Sequence, residues 1–341
     1  MSPRRCRRRT APPSPPPASL PDADDLLREI LLRLPPRPSS LPRASLVCKR
    51  WRSIVSDPQS QRLFRAHHGK PPLLGFFLDG SLSSPFFPML DRPDRIPSAR
   101  FSMLLYERNR IIDCRHGLVL FLCPGPPRRL LEWDPVSREQ RHLISPPELD
   151  SDQLFIFNGA EHMKLSIPIE RASTSIGNSL CWLLPVHDQN VILEFDLVKQ
   201  TLAVTELPVP VEPDYQNLWI IPAEDGGLGF IHLSQFHAEL WKRMPDSDGL
   251  DAWVLDRAIE FEELKPTCKG YSPALVGFAE ESNAILVQTD SGVFMVYLQS
   301  TEFKKVSDLS VFCIHYPFAC FYPAGTGIGD VHGGDEVLNN M

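Results

Sequence analysis

The spacing of apolar positions along the chain changes once, near residue 70. Before that point it is helical. Leu26, Leu27, Ile30, Leu31 and Leu34 recur three and four residues apart, which predicts an amphipathic helix of two to three turns. Leu20-Pro21-Asp22 supplies an apolar staple, a proline tolerated at a helix start and a capping acid, and Asp24 and Asp25 suit the positive end of the helix dipole. Pro35-Pro36 ends the helix, because proline lacks the donor and crowds the preceding turn. A second start at Ser39-Ser40 leads into the apolar set Ala44, Leu46, Val47, Trp51, Ile54 and Val55, closed by Asp57-Pro58. A short last helical stretch from Gln61 to His68 carries Leu63 and Phe64. The unit holds about fifty residues, near the lower limit for independent stability. It has more large apolar side chains than it can bury, and an exposed apolar patch marks a partner surface.

Past residue 71, short apolar runs alternate with Gly, Pro, Asp and Asn. Strands are expected at 73–78, 117–122, 130–133, 180–184, 191–195, 202–205, 229–233, 252–255, 284–288, 293–298 and 311–314, which makes an all-β body. A loose repeat runs through it. His116-Gly117-Leu118-Val119-Leu120-Phe121 leads to Leu131-Glu132-Trp133-Asp134 and on to Val136-Ser137-Arg138-Glu139. Gly177-Asn178-Ser179-Leu180-Cys181-Trp182 leads likewise to Leu193-Glu194-Phe195-Asp196 and Leu197-Val198-Lys199-Gln200. A degenerate copy starts at Asn283. The offset, roughly fifty to sixty residues, is near the length of a kelch-type blade, so a ring of four-stranded blades is the expected architecture, with a β-sandwich as the alternative.

Composition adds three things. Of the 35 Lys and Arg, 15 fall in residues 1–70, where only 5 of the 42 Asp and Glu lie, so a basic N-terminal part precedes an acidic body. Such a body lacks the clustered positive charge of a nucleic-acid footprint. No apolar stretch approaches the roughly 20 residues of a membrane span. The eight cysteines form no CxxC pair and no zinc-ligand spacing, so reduced thiols buried in strands of a nuclear or cytoplasmic protein are expected. Residues 1–19 are Arg- and Pro-rich, a composition that fits a disordered tail, and Arg4-Arg5-Cys6-Arg7-Arg8-Arg9 fits a nuclear import signal or a merely solvated basic segment.

Residues 20–68 resemble the F-box. The resemblance rests on Leu20-Pro21-Asp22, on Leu26-Leu27-Arg28-Glu29-Ile30-Leu31-Leu32-Arg33-Leu34-Pro35-Pro36 and on Ser45-Leu46-Val47-Cys48-Lys49-Arg50-Trp51. With Asp57-Pro58 and Phe64-Arg65-Ala66-His67-His68, it looks like the plant, particularly the grass, form of that module. It implies a three-helix fold that binds a Skp-family adaptor and, through it, a cullin scaffold. By carry-over, Leu20, Pro21, Leu26, Ile30, Leu34, Pro35, Leu46, Val47, Cys48, Trp51 and Ile54 supply contact or support at that interface. Ile192-Leu193-Glu194-Phe195-Asp196-Leu197 and Gly292-Val293-Phe294-Met295-Val296-Tyr297 resemble the region that follows the F-box in the same proteins. The chain is short between Pro147 and Ser175 for that pattern, so an irregular ring or one short of a blade is expected. The resemblance implies a substrate receptor of a ubiquitin ligase, with no cofactor, no metal, and an unidentified protein as its target.

Enzyme chemistry finds little purchase. There is no phosphate loop and no nucleophile elbow. Gly325-Thr326-Gly327-Ile328-Gly329 does not join a strand to a helix. His67-His68 suits a helix C-terminus, and Glu224-Asp225 and Glu262-Glu263 suit acidic turns. Cys48 reads as a side chain buried on the apolar face rather than as a nucleophile. Trp133, Trp182, Trp219, Trp241 and Trp253 suit packing between blades or binding hot spots. A propeller enzyme or carbohydrate binder remains the alternative, as does a degenerate member that recruits nothing. The expected organisation is a tail at 1–19, a helical module at 20–68, a propeller-like body at 73–323 and a flexible tail at 324–341.

Overall fold

The computed structural model describes residues 23–79, 85–101, 109–123, 129–143, 154–158, 161–165, 171–186, 189–208, 217–245, 251–309 and 312–322. Both expected tails, along with Leu20 and Pro21, lie outside these.

The helical module has four helices, not the three that the resemblance implies: α1 (Ala23–Leu32), α2 (Ser40–Ser45), α3 (Lys49–Ser56) and α4 (Pro58–His68). The run expected to be one helix breaks at Cys48, whose backbone is extended (φ −163°, ψ 170°). Asp57 does more than close α3. Its carboxylate accepts from the Ser60 amide at 2.9 Å and caps α4, with Pro58 in the first turn. That amide bond, ahead of the Ser60 hydroxyl, holds the Asp57 carboxyl below its ordinary range. Leu27, Leu31, Leu41, Ala44, Ile54, Val55 and Phe64 form the module's core.

The body is a five-bladed propeller-like ring. The first blade is β3–β6 (Arg110–Arg115, Leu118–Cys123, Arg129–Trp133, Gln140–Leu143). Next in sequence comes a two-stranded hairpin, β7 and β8 (Leu154–Asn158, Glu161–Leu165). The second blade is β9–β12 (Thr174–Ile176, Ser179–Val186, Gln189–Asp196, Thr201–Glu206), and the third is β13–β16 (Leu218–Pro222, Leu228–Ser234, His237–Pro245, Asp251–Glu260). The fourth is β17–β20 (Ala274–Ala279, Ala284–Thr289, Gly292–Tyr297, Phe303–Ser307). The closing blade joins the two ends of the body: β1 (Leu73–Leu78) lies between β2 (Phe86–Pro88) and β21 (His315–Ala319).

The strand expected at 311–314 is displaced. Residues 312–314 are irregular, and the strand begins at His315. It contains Pro317, tolerated because β21 pairs on one side only. The repeat is structural. Asp134 accepts from the amides of Val136 and Ser137, and Asp196 from those of Val198 and Lys199. Each acid closes the turn between its blade's last two strands, and Arg138 and Gln200 turn back with φ of 66° and 54°. In the third copy Tyr297 takes the place of the acid, and main-chain bonds from Thr301 to Tyr297 and from Tyr297 to Glu302 hold the turn.

Apolar clusters fill four of the five seams between blades. Phe77, Phe86, Phe121, Trp133 and Phe318 join the closing and first blades. Trp219, Leu240, Leu275 and Ile285 belong to the cluster between the third and fourth. Ile192, Leu218 and Phe230 fill the second seam, and Val276, Leu286 and Leu73 the last. Between the first and second blades the described residues form no such cluster. A polar network stands there instead. A bulge in β3 between Ile111 and Asp113 precedes two inward side chains. Arg115 bonds Asp113 at 3.1 Å, the Ser173 carbonyl and, across the ring, Glu280 at 3.0 Å. Ser173 donates to Asp113 at 3.0 Å, and the Ser175 amide to Glu280 at 2.9 Å. Burial raises the Glu280 carboxyl, and Arg115 opposes that shift. The expected irregularity near 147–175 therefore falls at this seam, where the β7–β8 hairpin intervenes in sequence.

Removing Arg115 leaves Asp113 and Glu280 facing each other uncompensated. Arg115→Met is expected to cost about 2 kcal/mol, at the lower edge for a broken buried pair because these groups keep some solvent contact. Urea unfolding followed by tryptophan fluorescence checks it. His315 gives a second expectation. Its ring is buried against Phe76 at 4.8 Å, and burial pushes its pKa down to about 4 from 6.5. A depressed histidine contributes fully above pH 6.5 and loses that contribution as pH falls to 4, by roughly 3 kcal/mol in all. His315→Phe is expected to remove that part of the acid sensitivity, read as the difference in stability loss between wild type and variant over this range.

Candidate functional site

The helical module sorts its apolar residues onto two sides. On α1, Leu27 and Leu31 point into the core while Leu26 and Ile30, four residues apart, stay 64% and 51% exposed. At the corner between α2 and α3, Leu46 and Val47 are 74% and 60% exposed. The break at Cys48 produces this corner: Ala44 and Ser45 are buried, and the next two side chains are carried outward. An ion pair, Asp24 to Arg50 at 2.5 Å, ties the start of α1 to the start of α3, just past the corner. Leu26 and Val47 thus belong to one unit, and their exposed surface has no partner among the described residues.

The sequence-selected residues divide accordingly. Leu26, Ile30, Pro35, Leu46, Val47 and Cys48 are exposed, Leu34 and Trp51 half-buried, and Ile54 buried. Cys48, expected on the buried face, is a correction: the extended backbone between α2 and α3 turns it to solvent. Leu63 is also exposed, which its place in a helical run did not indicate.

The module is fixed to the body. Phe64 meets Phe321 edge-on, with ring centroids 6.2 Å apart. The Ser39 amide donates to the Asp94 carboxylate at 3.1 Å, and Arg37 stands 3.6 Å from the same group. His67 and His68 end α4, where His68 packs on Phe64. All these contacts lie on one face of the ring, the one carrying the turn from the first to the second strand of each four-stranded blade. Cys320 abuts one of those turns, at Gly117, where φ is +78° and an added Cβ would stand 2.9 Å from the thiol sulfur.

No group of three or more His, Cys, Asp or Glu among the described residues is placed to hold a metal ion. Burial raises the thiols of Cys114, Cys181, Cys313 and Cys320, that of Cys181 to about 12, which opposes thiolate formation. Four of the body's tryptophans pack against their neighbours. Trp133 and Trp219 are buried, Trp241 stacks on Phe230, and Trp253 donates to the Glu206 carbonyl of the neighbouring blade. No helix among the described residues is long and apolar enough to cross a membrane.

Comparison with known proteins supports this division. Residues 23–63 match the F-box domain. No curated protein matches the chain. Solved structures align at low similarity. TolB from Acinetobacter baumannii shares 11% identity, with 74% of this chain and 58% of that one covered and a TM-score of 0.33. A quinonprotein alcohol dehydrogenase-like protein from Bacteroides thetaiotaomicron shares 14%, with 66% and 61% covered and a TM-score of 0.32. The dihydro-heme d1 dehydrogenase NirN, in complex with DHE, shares 12%, with 89% and 94% covered and a TM-score of 0.33. The chain spans about three-fifths of the length of the first two. Scores this low carry no argument about activity, and the propeller-like architecture stands on the blade topology itself.

The two sides of α1 predict opposite outcomes. Leu27→Ala opens a cavity in the module's core and is expected to cost about 3 kcal/mol. Leu26→Ala, one residue away, is expected to change stability by less than about 0.5 kcal/mol. Chemical denaturation of the two variants side by side checks the assignment of faces.

Proposed function

We propose that this protein is the substrate-recognition subunit of a Skp/cullin/F-box ubiquitin ligase. Its helical module docks a Skp-family adaptor, the adaptor attaches to a cullin scaffold, and the ring holds a target protein. One observation carries the reading: Leu26, Ile30, Leu46 and Val47 stay exposed on one unit inside the residues that match the F-box domain. A chain that exposes this much apolar surface gains by covering it with a partner. Leu26, Ile30, Pro35, Leu46, Val47 and Cys48 would touch the adaptor, with Leu20 and Pro21 completing the motif. Leu34 and Trp51 would lie at the edge of that contact, and Ile54 would support it from the core.

The protein's own contribution would be non-catalytic. Holding a target beside a ubiquitin-charged enzyme raises the effective concentration of the reacting groups, and no bond chemistry in this chain is required. The work fits a nuclear or cytoplasmic setting, and the sequence pattern of the module and of the region after it favours a plant origin, of the grass type.

The test is co-purification of the full chain with a Skp-family adaptor. Wild type is expected to retain the adaptor. Leu26→Asp combined with Val47→Asp is expected to lose it while unfolding at the wild-type temperature, because both side chains already face water. A folded wild type that fails to retain the adaptor would overturn the reading.

A further inference from the structure

Between the third and fourth blades, on the face that carries the helical module, lies a cleft of about 380 Å³. A bulge builds its floor. Leu240 pairs with Arg257 and Trp241 with Leu255, so Asp256 has no opposite number and its side chain turns to Lys242 at 2.5 Å. Those two charges neutralise each other. Arg257 donates from one amino group to the Leu298 carbonyl of the fourth blade, yet its Nε is buried and has no acceptor among the described residues. Asn283 sits at the turn after β17 in a left-handed conformation with φ of 45°, and its buried Oδ1 has no donor among the described residues. Both residues line the same cleft. Buried polar atoms without partners are uncommon in folded proteins, and an unmet donor and an unmet acceptor in one cleft ask for a ligand that offers both.

The mouth of the cleft is acidic. Glu224 lies exposed on the turn after β13 and, among the described residues, takes part in no ion pair or hydrogen bond, its charge reaching only the Asp256-paired Lys242 from a distance. Asp225 is next to it, and Glu281 and Glu302 stand on turns of the same face. Gln299 adds an amide at the fourth-blade side.

We propose that this cleft binds an extended peptide segment bearing an arginine or lysine. One peptide unit offers a carbonyl to Arg257 and an N–H to Asn283, and the basic side chain meets Glu224. A neutral sugar also offers donors and acceptors, but it gains nothing from the acidic mouth. The inference rests on the substrate-receptor reading only in taking the peptide to be part of a target.

Fluorescence anisotropy of the full chain, with no adaptor present, tests it. The probes are a labelled peptide of alternating glycine and arginine and its counterpart of alternating glycine and glutamate. Wild type is expected to bind the first and not the second, more weakly as salt rises. Glu224→Lys is expected to weaken binding about tenfold or more, as a reversed charge at close range does. Arg257→Met is expected to weaken it as well. Glu263→Lys makes the same charge change at the opposite face, beyond the far end of β16, and is expected to stay within about twofold of wild type. Failure to bind the arginine peptide overturns the proposal. So does equal loss in Glu224→Lys and Glu263→Lys, which would mean diffuse attraction to an acidic body. Either failure leaves adaptor capture untouched, and failed adaptor capture leaves this binding measurable.

Discussion

The pairing of β21 with β1 is the constraint on which the rest of the structure depends. Its register runs from Leu73 opposite Ala319 to Leu78 opposite His315, and it joins strands more than two hundred residues apart in sequence. Without it the body is a row of blades with an open edge at each end, the kind of edge that invites pairing with other chains. With it, the row becomes a ring, and β21 takes the innermost place, between β17 and β3. The same strand positions Phe321 against Phe64, so one pairing both shuts the ring and seats the helical module on it.

The ring is not uniform. Four seams are apolar, and apolar contact is non-directional, so blades joined this way fit by shape and volume. The seam between the first and second blades depends on Arg115, Asp113, Ser173 and Glu280, whose bonds require particular distances and angles. Glu280 belongs to the fourth blade, so the network also fixes how far apart the blades stand across the centre. An apolar cluster would hold the two neighbours together but would not tie them to a third blade.

Much of this was legible in the sequence, for identifiable reasons. The period change near residue 70 separated module from body, and the aromatic-Asp pairs at Trp133-Asp134 and Phe195-Asp196 marked equivalent turns before any strand was known to pair. Most middle strands alternate or run apolar and were expected, but His237–Pro245 was not, because Glu239, Lys242 and Arg243 break up its apolar signal. Inner strands such as Arg110–Arg115 and Thr174–Ile176 were not, because polar side chains turned to the ring's centre erase the apolar signal. On the candidate site, the sequence chose the right stretch but did not divide it. Leu26 and Leu27 are the same residue type one position apart, and only the placement of neighbouring helices decides which is buried. The cleft beside Asp256 was invisible, since it comes from a one-residue register shift and from Asn283 on another blade.

The position of β21 has a consequence for how the chain is made. A ribosome delivers the closing strand after the helical module and the four other blades, so nearly the whole body emerges before the ring has the strand that shuts it. Until then β1 lacks its inner partner, and Phe64 lacks the ring that covers it. Any chain cut short before residue 315 keeps the exposed apolar surface of its helical module but never gains a closed ring. The fold therefore ties the orientation of that surface to synthesis of the body through its closing strand.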